Sequence, residues 1–209
     1  MNQTYLALLL FVNLAFYIIF TLFYDSKLLK KENTGQSKLK PPAWDNLWIA
    51  LITTIPSLGI WLLFVILPIV FLLDDDLLLI YSLPDDVKII INFFQILGIV
   101  FISIGTLIAF LGRKARRNDA ISWGIPNRLV TTGLHAYIRH PLYSSYIFYF
   151  FGFFLIFPSI FTVIPIFGIF GYWKTVSHEE KILIKTFGNQ YKEYMKRTGR
   201  FLPKLSSLF

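Results

Sequence analysis

Long uncharged runs alternate with short polar stretches along this chain. Residues 4–24 (TYLALLLFVNLAFYIIFTLFY) carry no charge, and about 20 such residues suffice to cross a bilayer as a helix. A cleavable signal peptide would want basic residues ahead of the apolar run and small residues before the cut. MNQTY has no basic side chain and the run closes on bulky FTLFY, so the pattern predicts a retained helix. Residues 46–73 form a second run, in which Pro56 and Pro68 predict a kink or a break. Residues 88–112 form a third, with Gly98, Gly105 and Gly112 every seven residues on roughly one face. That spacing permits close helix packing. Residues 142–176 hold a fourth run divided by Phe157-Pro158-Ser159, which reads as a helical hairpin. From Ser177 onward, Ile182, Leu183, Phe187, Tyr191 and Tyr194 fall at helical spacing in a basic segment, predicting an amphipathic helix. The predicted fold class is all-α: a polytopic membrane bundle of about five transmembrane helices with a C-terminal cytosolic amphipathic helix.

The polar stretches orient this bundle. Of 20 Lys and Arg, all but Lys88 lie in residues 25–45, in residues 113–141, or from 174 to the end. Residues 74–86 (DDDLLLIYSLPDD) carry five Asp and no basic residue. The excess of Lys and Arg in cytoplasmic loops puts the three basic regions inside, and the Asp-rich loop and the Phe157–Ser159 turn outside. The expectation is an integral, multi-pass protein with its N-terminus outside and its C-terminus in the cytoplasm. Membrane topology thereby accounts for the net charge of +8, and no nucleic-acid partner is expected.

Composition narrows the chemistry. The chain has 209 residues, 56% hydrophobic and 18% aromatic, more apolar than a soluble domain of this size. It has no Cys, which removes disulfides, thiolate catalysis and zinc–thiolate sites. Only His135, His140 and His178 are present, so no metal site is expected.

Functional groups in such a protein belong at the ends of spans or buried between them. Two segments stand out: residues 129–143 (LVTTGLHAYIRHPLY), at the start of a membrane run, and Ser177-His178-Glu179-Glu180, just past the last one. Each also has a plain reading. Arg139-His140-Pro141 suits a topology signal and a helix start, and Glu179-Glu180 suits the first turn of a helix. His178 is best read as a solvated polar residue without a chemical role.

Taken together, RHPLYSS, a hydrophobic hairpin and HEEKILIKTFGNQYKEYMKRTGRFLPKL resemble the isoprenylcysteine carboxyl methyltransferase and phospholipid methyltransferase superfamily of integral membrane enzymes. The matching positions are Leu129-Val130, Gly133, Arg139-His140-Pro141, Tyr143, Glu179-Glu180, Leu183, Phe187-Gly188, Tyr191, Tyr194, Arg200-Phe201 and Pro203. They cover about residues 127–204.

The resemblance implies S-adenosyl-L-methionine as cofactor, held in a cytosol-facing pocket. A lipid-like or prenylated acceptor would enter from the bilayer, as in a protein-S-isoprenylcysteine O-methyltransferase. Leu129, Val130, Gly133, His135, His140, Pro141, Tyr143 and Glu179 would line the cofactor site. Arg139 or His140 suits the cofactor carboxylate, and Glu179 or Glu180 its ammonium and sulfonium. Leu129, Val130 and Tyr143 suit the adenine. Glu179, Glu180 and Arg139 are the candidate catalytic residues, with Glu180 the base for an amine acceptor. Residues 1–112 would then be a three-span N-terminal part and residues 113–209 the catalytic region.

The chain departs from the family pattern in three places. His135 stands where Tyr is usual, Asn127 where His is frequent, and Thr175 where an Arg usually meets the acceptor and the Glu. Lys174 is adjacent, but a helix neighbour points about 100° away and Lys does not replace a bidentate Arg. Two other readings compete. One is an NADPH-dependent membrane sterol-type reductase, with Arg113, Lys114, Arg116 and Arg117 on a 2′-phosphate, although Leu142 and Ser144-Ser145 replace the residues such enzymes carry after RHP. The other is a non-catalytic membrane protein that keeps the fold.

Overall fold

A computed structural model describes residues 2–32, 47–73, 84–116 and 128–204. The lysines of residues 33–45, the Asp cluster Asp74–Asp76, and residues 117–127 with Asn127 lie outside it. Every element among the described residues is helical. They are α1 (Gln3–Glu32), α2 (Leu47–Leu73), α3 (Asp85–Arg116), α4 (Pro141–Ile156), a single turn α5 (Ile160–Val163), α6 (Gly168–Phe187) and α7 (Asn189–Arg197). Two 3₁₀ turns, Gly133–Ala136 and Ile164–Phe167, precede α4 and α6.

Among the described residues, four segments are long and apolar enough to span a membrane: Gln3–Tyr24, Leu47–Leu73, Asp85–Arg116 and Ile160–Phe187. The fifth predicted span, α4, has 16 residues, or about 24 Å of helix, against a hydrocarbon core of about 30 Å. It is the inner helix of the bundle. Tyr143, Tyr146, Tyr149, Phe150 and Phe153 are all buried on it.

The glycine stripe of α3 sets α4 in place. A methyl group on Gly98 would fall 2.6 Å from the Gly152 carbonyl oxygen, one on Gly105 3.0 Å from that of Ser145, and one on Gly112 2.8 Å from the Pro141 ring. Close approach is thus required along the whole seam. The hairpin turn also forms where expected. Ser159 caps α5, its N–H donating to Thr162 Oγ1 at 3.0 Å, while the Thr162 hydroxyl donates back to the Phe157 carbonyl. Pro56 and Pro68 do not break α2, which is one helix across both. Pro56 instead forms the surface against which Gly168 packs.

Two expectations are corrected. No helix starts at Ser177: α6 runs without a break from the span to Phe187, and the chain stops at Gly188, whose φ of +55° suits glycine. The change from apolar to polar residues at 177 marks a change of surroundings, not of backbone. Glu179 and Glu180 therefore lie deep in a helix and cannot act as first-turn acids. Arg113 is not part of a surface cluster either. It is buried, while Lys114 beside it is exposed, because successive helical residues point about 100° apart.

Candidate active site

The residues after α7 fold back on the segment before α4. Arg139 N–H donates to the Gly199 carbonyl at 2.9 Å, His140 N–H to that of Arg200 at 3.1 Å, and Gly199 N–H to that of Tyr137 at 3.0 Å. This single parallel bridge pairs Ile138 with Gly199. The Ser144 hydroxyl donates to the Phe201 carbonyl at 2.6 Å and fastens the same chain one turn into α4. Two stretches some 60 residues apart in sequence thus become neighbours beside α6.

Charges meet at this junction. Arg139 Nε donates to Glu180 Oε1 at 2.8 Å, and Arg200 Nη2 to Glu180 Oε2 at 2.5 Å. Arg139 Nη1 also donates to the carbonyls of Met195 and Thr198, at the end of α7. Arg200 stacks on Trp173, 4.6 Å from the ring centre, and its Nη1 donates to the Ser177 hydroxyl at 3.2 Å. The Glu180 side chain is 3% exposed and that of Arg139 7%. A buried carboxylate between two guanidinium groups is matched in charge and hydrogen-bonded on both oxygens, the condition under which a buried ion pair is tolerated.

Glu179 is placed differently. Its side chain is 23% exposed. Tyr143 donates to its Oε1 at 2.6 Å, and His140 Nδ1 lies 3.5 Å from its Oε2. The other imidazole nitrogen of His140 lies 3.3 Å from Glu180 Oε1, off the line of a hydrogen bond. His140 thus sits between the two carboxylates, with Pro141 at the first position of α4 behind it.

The remaining predicted residues surround this centre. Val130 is buried and Leu129 half-buried. Gly133 opens a 3₁₀ turn with φ +59°, a conformation that favours glycine. His135 is buried in that turn. Its carbonyl accepts from the Tyr194 hydroxyl at 2.6 Å, and its Nδ1 has no partner among the described residues. Burial, reinforced by Arg116 and His140, lowers the His135 pKa to about 3. Burial likewise pushes the Tyr191 and Tyr194 phenols of α7 up, so both hydroxyls stay neutral. Thr175, at the position of the absent Arg, is buried, its hydroxyl 2.9 Å from that of Thr53 on α2. Thr175 puts no cation at that spot, and the guanidinium groups that reach the second Glu come from Arg139 and Arg200.

Sequence reasoning recognised Arg200 as a motif position but gave it no role. It lies 20 residues beyond Glu180, and no local period links them. It also grouped Arg113 with its basic neighbours and passed over Tyr17. Arg113 Nη2 donates to the Tyr17 hydroxyl at 2.8 Å, and the guanidinium lies 4.9 Å from the centre of that ring.

No group of three or more His, Asp or Glu that could hold a metal occurs among the described residues. No curated protein matches the chain. Residues 93–190, from α3 through the hairpin to the start of α7, match the phospholipid methyltransferase family. The matched range contains both RHPLY and HEEK, and over these residues the chain is similar to the integral membrane methyltransferases.

Proposed function

We propose that the chain is an S-adenosylmethionine-dependent methyltransferase that acts on a lipid-like acceptor, with Glu179 at the centre of its cofactor site. The family match over residues 93–190 supports methyl transfer in a membrane. The observation that carries the site is the contrast between adjacent carboxylates. Glu180 has both oxygens taken by guanidinium groups, whereas Glu179 is partly exposed and held by one phenol and one imidazole.

The residues present fit the cofactor's chemistry. An amino acid end needs an acceptor for its ammonium and donors for its carboxylate. Glu179 supplies the first. His140 Nε2 and His135 Nδ1, buried without hydrogen-bond partners, can supply or receive the others. Leu129, Val130, Gly133, Pro141 and Tyr143 form the surrounding wall. Arg139 and Glu180 take a different role from the one their residue types suggest. Their hydrogen bonds are spent on each other and on the carbonyls that end α7, so both are positioning residues for His140 and Glu179.

Bound there, S-adenosylmethionine supplies an electrophilic methyl group for in-line displacement. The protein's part is to orient the reactants and exclude water. A carboxylate acceptor has no proton to remove. An amine acceptor needs a base, and Glu180, locked between two cations, is unsuited to that task. This favours a carboxylate acceptor of the isoprenylcysteine type over an amine headgroup. The positive-inside pattern supports a reaction at the cytosolic face, with residues 113–209 as the catalytic region and residues 1–112 as its membrane scaffold.

Calorimetry on the folded protein in detergent tests the cofactor reading: S-adenosylmethionine or its demethylated product binds. No heat at millimolar cofactor overturns it. A labelled-methyl screen over prenylcysteine analogues, phosphatidylethanolamine and small thiols tests the acceptor. Label released as methanol by alkali marks an ester and supports the carboxylate reading; alkali-stable label on an amine contradicts it.

A further inference from the structure

Arg113, in the last turn of α3, carries a charge that no acidic group among the described residues neutralises. Its residue is 7% exposed. Of its five N–H donors, one on Nη2 meets the Tyr17 hydroxyl at 2.8 Å. Nε and Nη1 are buried without a hydrogen-bond partner among the described residues. The rings of Tyr17 and Phe20 lie 4.9 and 5.5 Å from the guanidinium carbon, and such faces attract a cation without satisfying its N–H groups. An unpaired buried guanidinium with empty donors is costly, and a native structure that retains one calls for an explanation.

The surroundings say what would complete it. Tyr17 packs on Trp61, 4.6 Å between ring centres, and Trp61 Nε1 donates to the Tyr146 hydroxyl. Tyr146 meets Tyr172, Tyr172 meets Tyr143, and Tyr143 donates to Glu179. An aromatic column thus joins Arg113 to the proposed cofactor site through the bundle interior. Gly112, the preceding residue, rests on Pro141 beside His140. The missing partner is an anion in an apolar, aromatic setting near a membrane-embedded site.

We propose that Arg113 binds the oxyanion, carboxylate or phosphate, of the lipid-like acceptor. The guanidinium matches an oxyanion in charge and donor geometry. It supplies within the bundle a cation that the chain lacks at Thr175. The identification of this amphiphile with the acceptor rests on the methyltransferase reading; the anion site itself does not.

The test therefore measures binding without cofactor. Dodecyl phosphate, dodecanoate, dodecanol and inorganic phosphate are titrated into the full chain in a neutral maltoside detergent, with tryptophan fluorescence as readout. The two anionic amphiphiles bind about tenfold or more tightly than dodecanol. Inorganic phosphate tests whether the anion must be lipid-borne, and it fails to compete. Arg113→Gln abolishes the preference, and Lys114→Gln, which removes the same charge from the exposed face of the same turn, leaves it intact. An equal response to dodecanol and the anions in the wild type overturns the proposal, whether or not Arg113→Gln folds. So does a preference lost equally in Lys114→Gln, which would be general attraction to a basic protein. S-adenosylmethionine binding is followed in the same samples. If it is absent while the anion preference holds, the methyltransferase reading falls and the anion site stands.

Discussion

Two arginines sit at opposite ends of the aromatic column, and the protein treats them differently. Around Arg139 its own groups complete the chemistry: a carboxylate, a second guanidinium and two helix-end carbonyls. Around Arg113 the described residues supply one phenol and two ring faces and leave Nε and Nη1 empty. A charge fully met by the fold is there to hold the fold. A charge left half-met costs stability, and it is the better place to look for something the protein binds.

Replacing each arginine by methionine sharpens that contrast most. Arg139→Met leaves the buried Glu180 carboxylate with Arg200 alone and unfastens α7. It lowers stability by roughly 3–5 kcal/mol, seen as a large drop in melting temperature in detergent. A melting temperature near wild type would break the comparison at its firm end.

The next effect concerns the adjacent carboxylates. Glu179→Gln removes a half-exposed charge and leaves a group that can still meet Tyr143. Cofactor affinity falls about tenfold or more, roughly 1.4 kcal/mol, while the melting temperature stays within a few degrees of wild type. Glu180→Gln does the reverse, with the fold failing first. Calorimetry and thermal scans on the same two samples distinguish them, and equal effects of the two substitutions would contradict the division of roles.

A pH scan reads the buried imidazole near the knot. The unfolded chain takes up a proton at His135 near its ordinary 6.5, while in the fold burial holds the value to about 3. Between these values the unfolded state binds more protons, so stability falls as pH falls. From pH 7.5 to 5.5 the loss is about 1.4 kcal/mol, and His135→Phe removes that part of the slope. An unchanged slope in the variant would mean that His135 is not held neutral.

The smallest change is expected at the other end of the column. Arg113→Met gives up one hydrogen bond and two ring contacts but also an unpaired buried charge. Stability in anion-free detergent stays within about 1 kcal/mol of wild type, or rises. A loss as large as that of Arg139→Met would show that Arg113 is structural after all.

Much of this arrangement could be read from the residues. The seam between α3 and α4 was visible in Gly98, Gly105 and Gly112, because only small residues allow such contact and their spacing repeats. The turn at Pro158 was visible because proline interrupts a run too long for one span. The end of α6 was not, since the loss of apolar character at Ser177 precedes the backbone stop at Gly188 by about half of the helix. RHPLY and HEEK could be matched in order, but no pattern tells which carboxylate is consumed. That depends on Arg200, brought in by the return of the chain along residues 138–140. Arg113 was hidden by its company: a run of basic residues looks uniformly solvated in sequence, although a helix turns each one in a new direction.

The seam between α3 and α4 also restricts traffic. Where the Gly98 and Gly152 backbones lie so close that an added methyl has no room, no acyl or prenyl chain can slide between the two helices. Any route from the surrounding lipid to the interior must part a different pair. The doorway has to be sought elsewhere on the bundle's perimeter, and a crosslink that pins α3 to α4 should leave passage of a lipid unhindered.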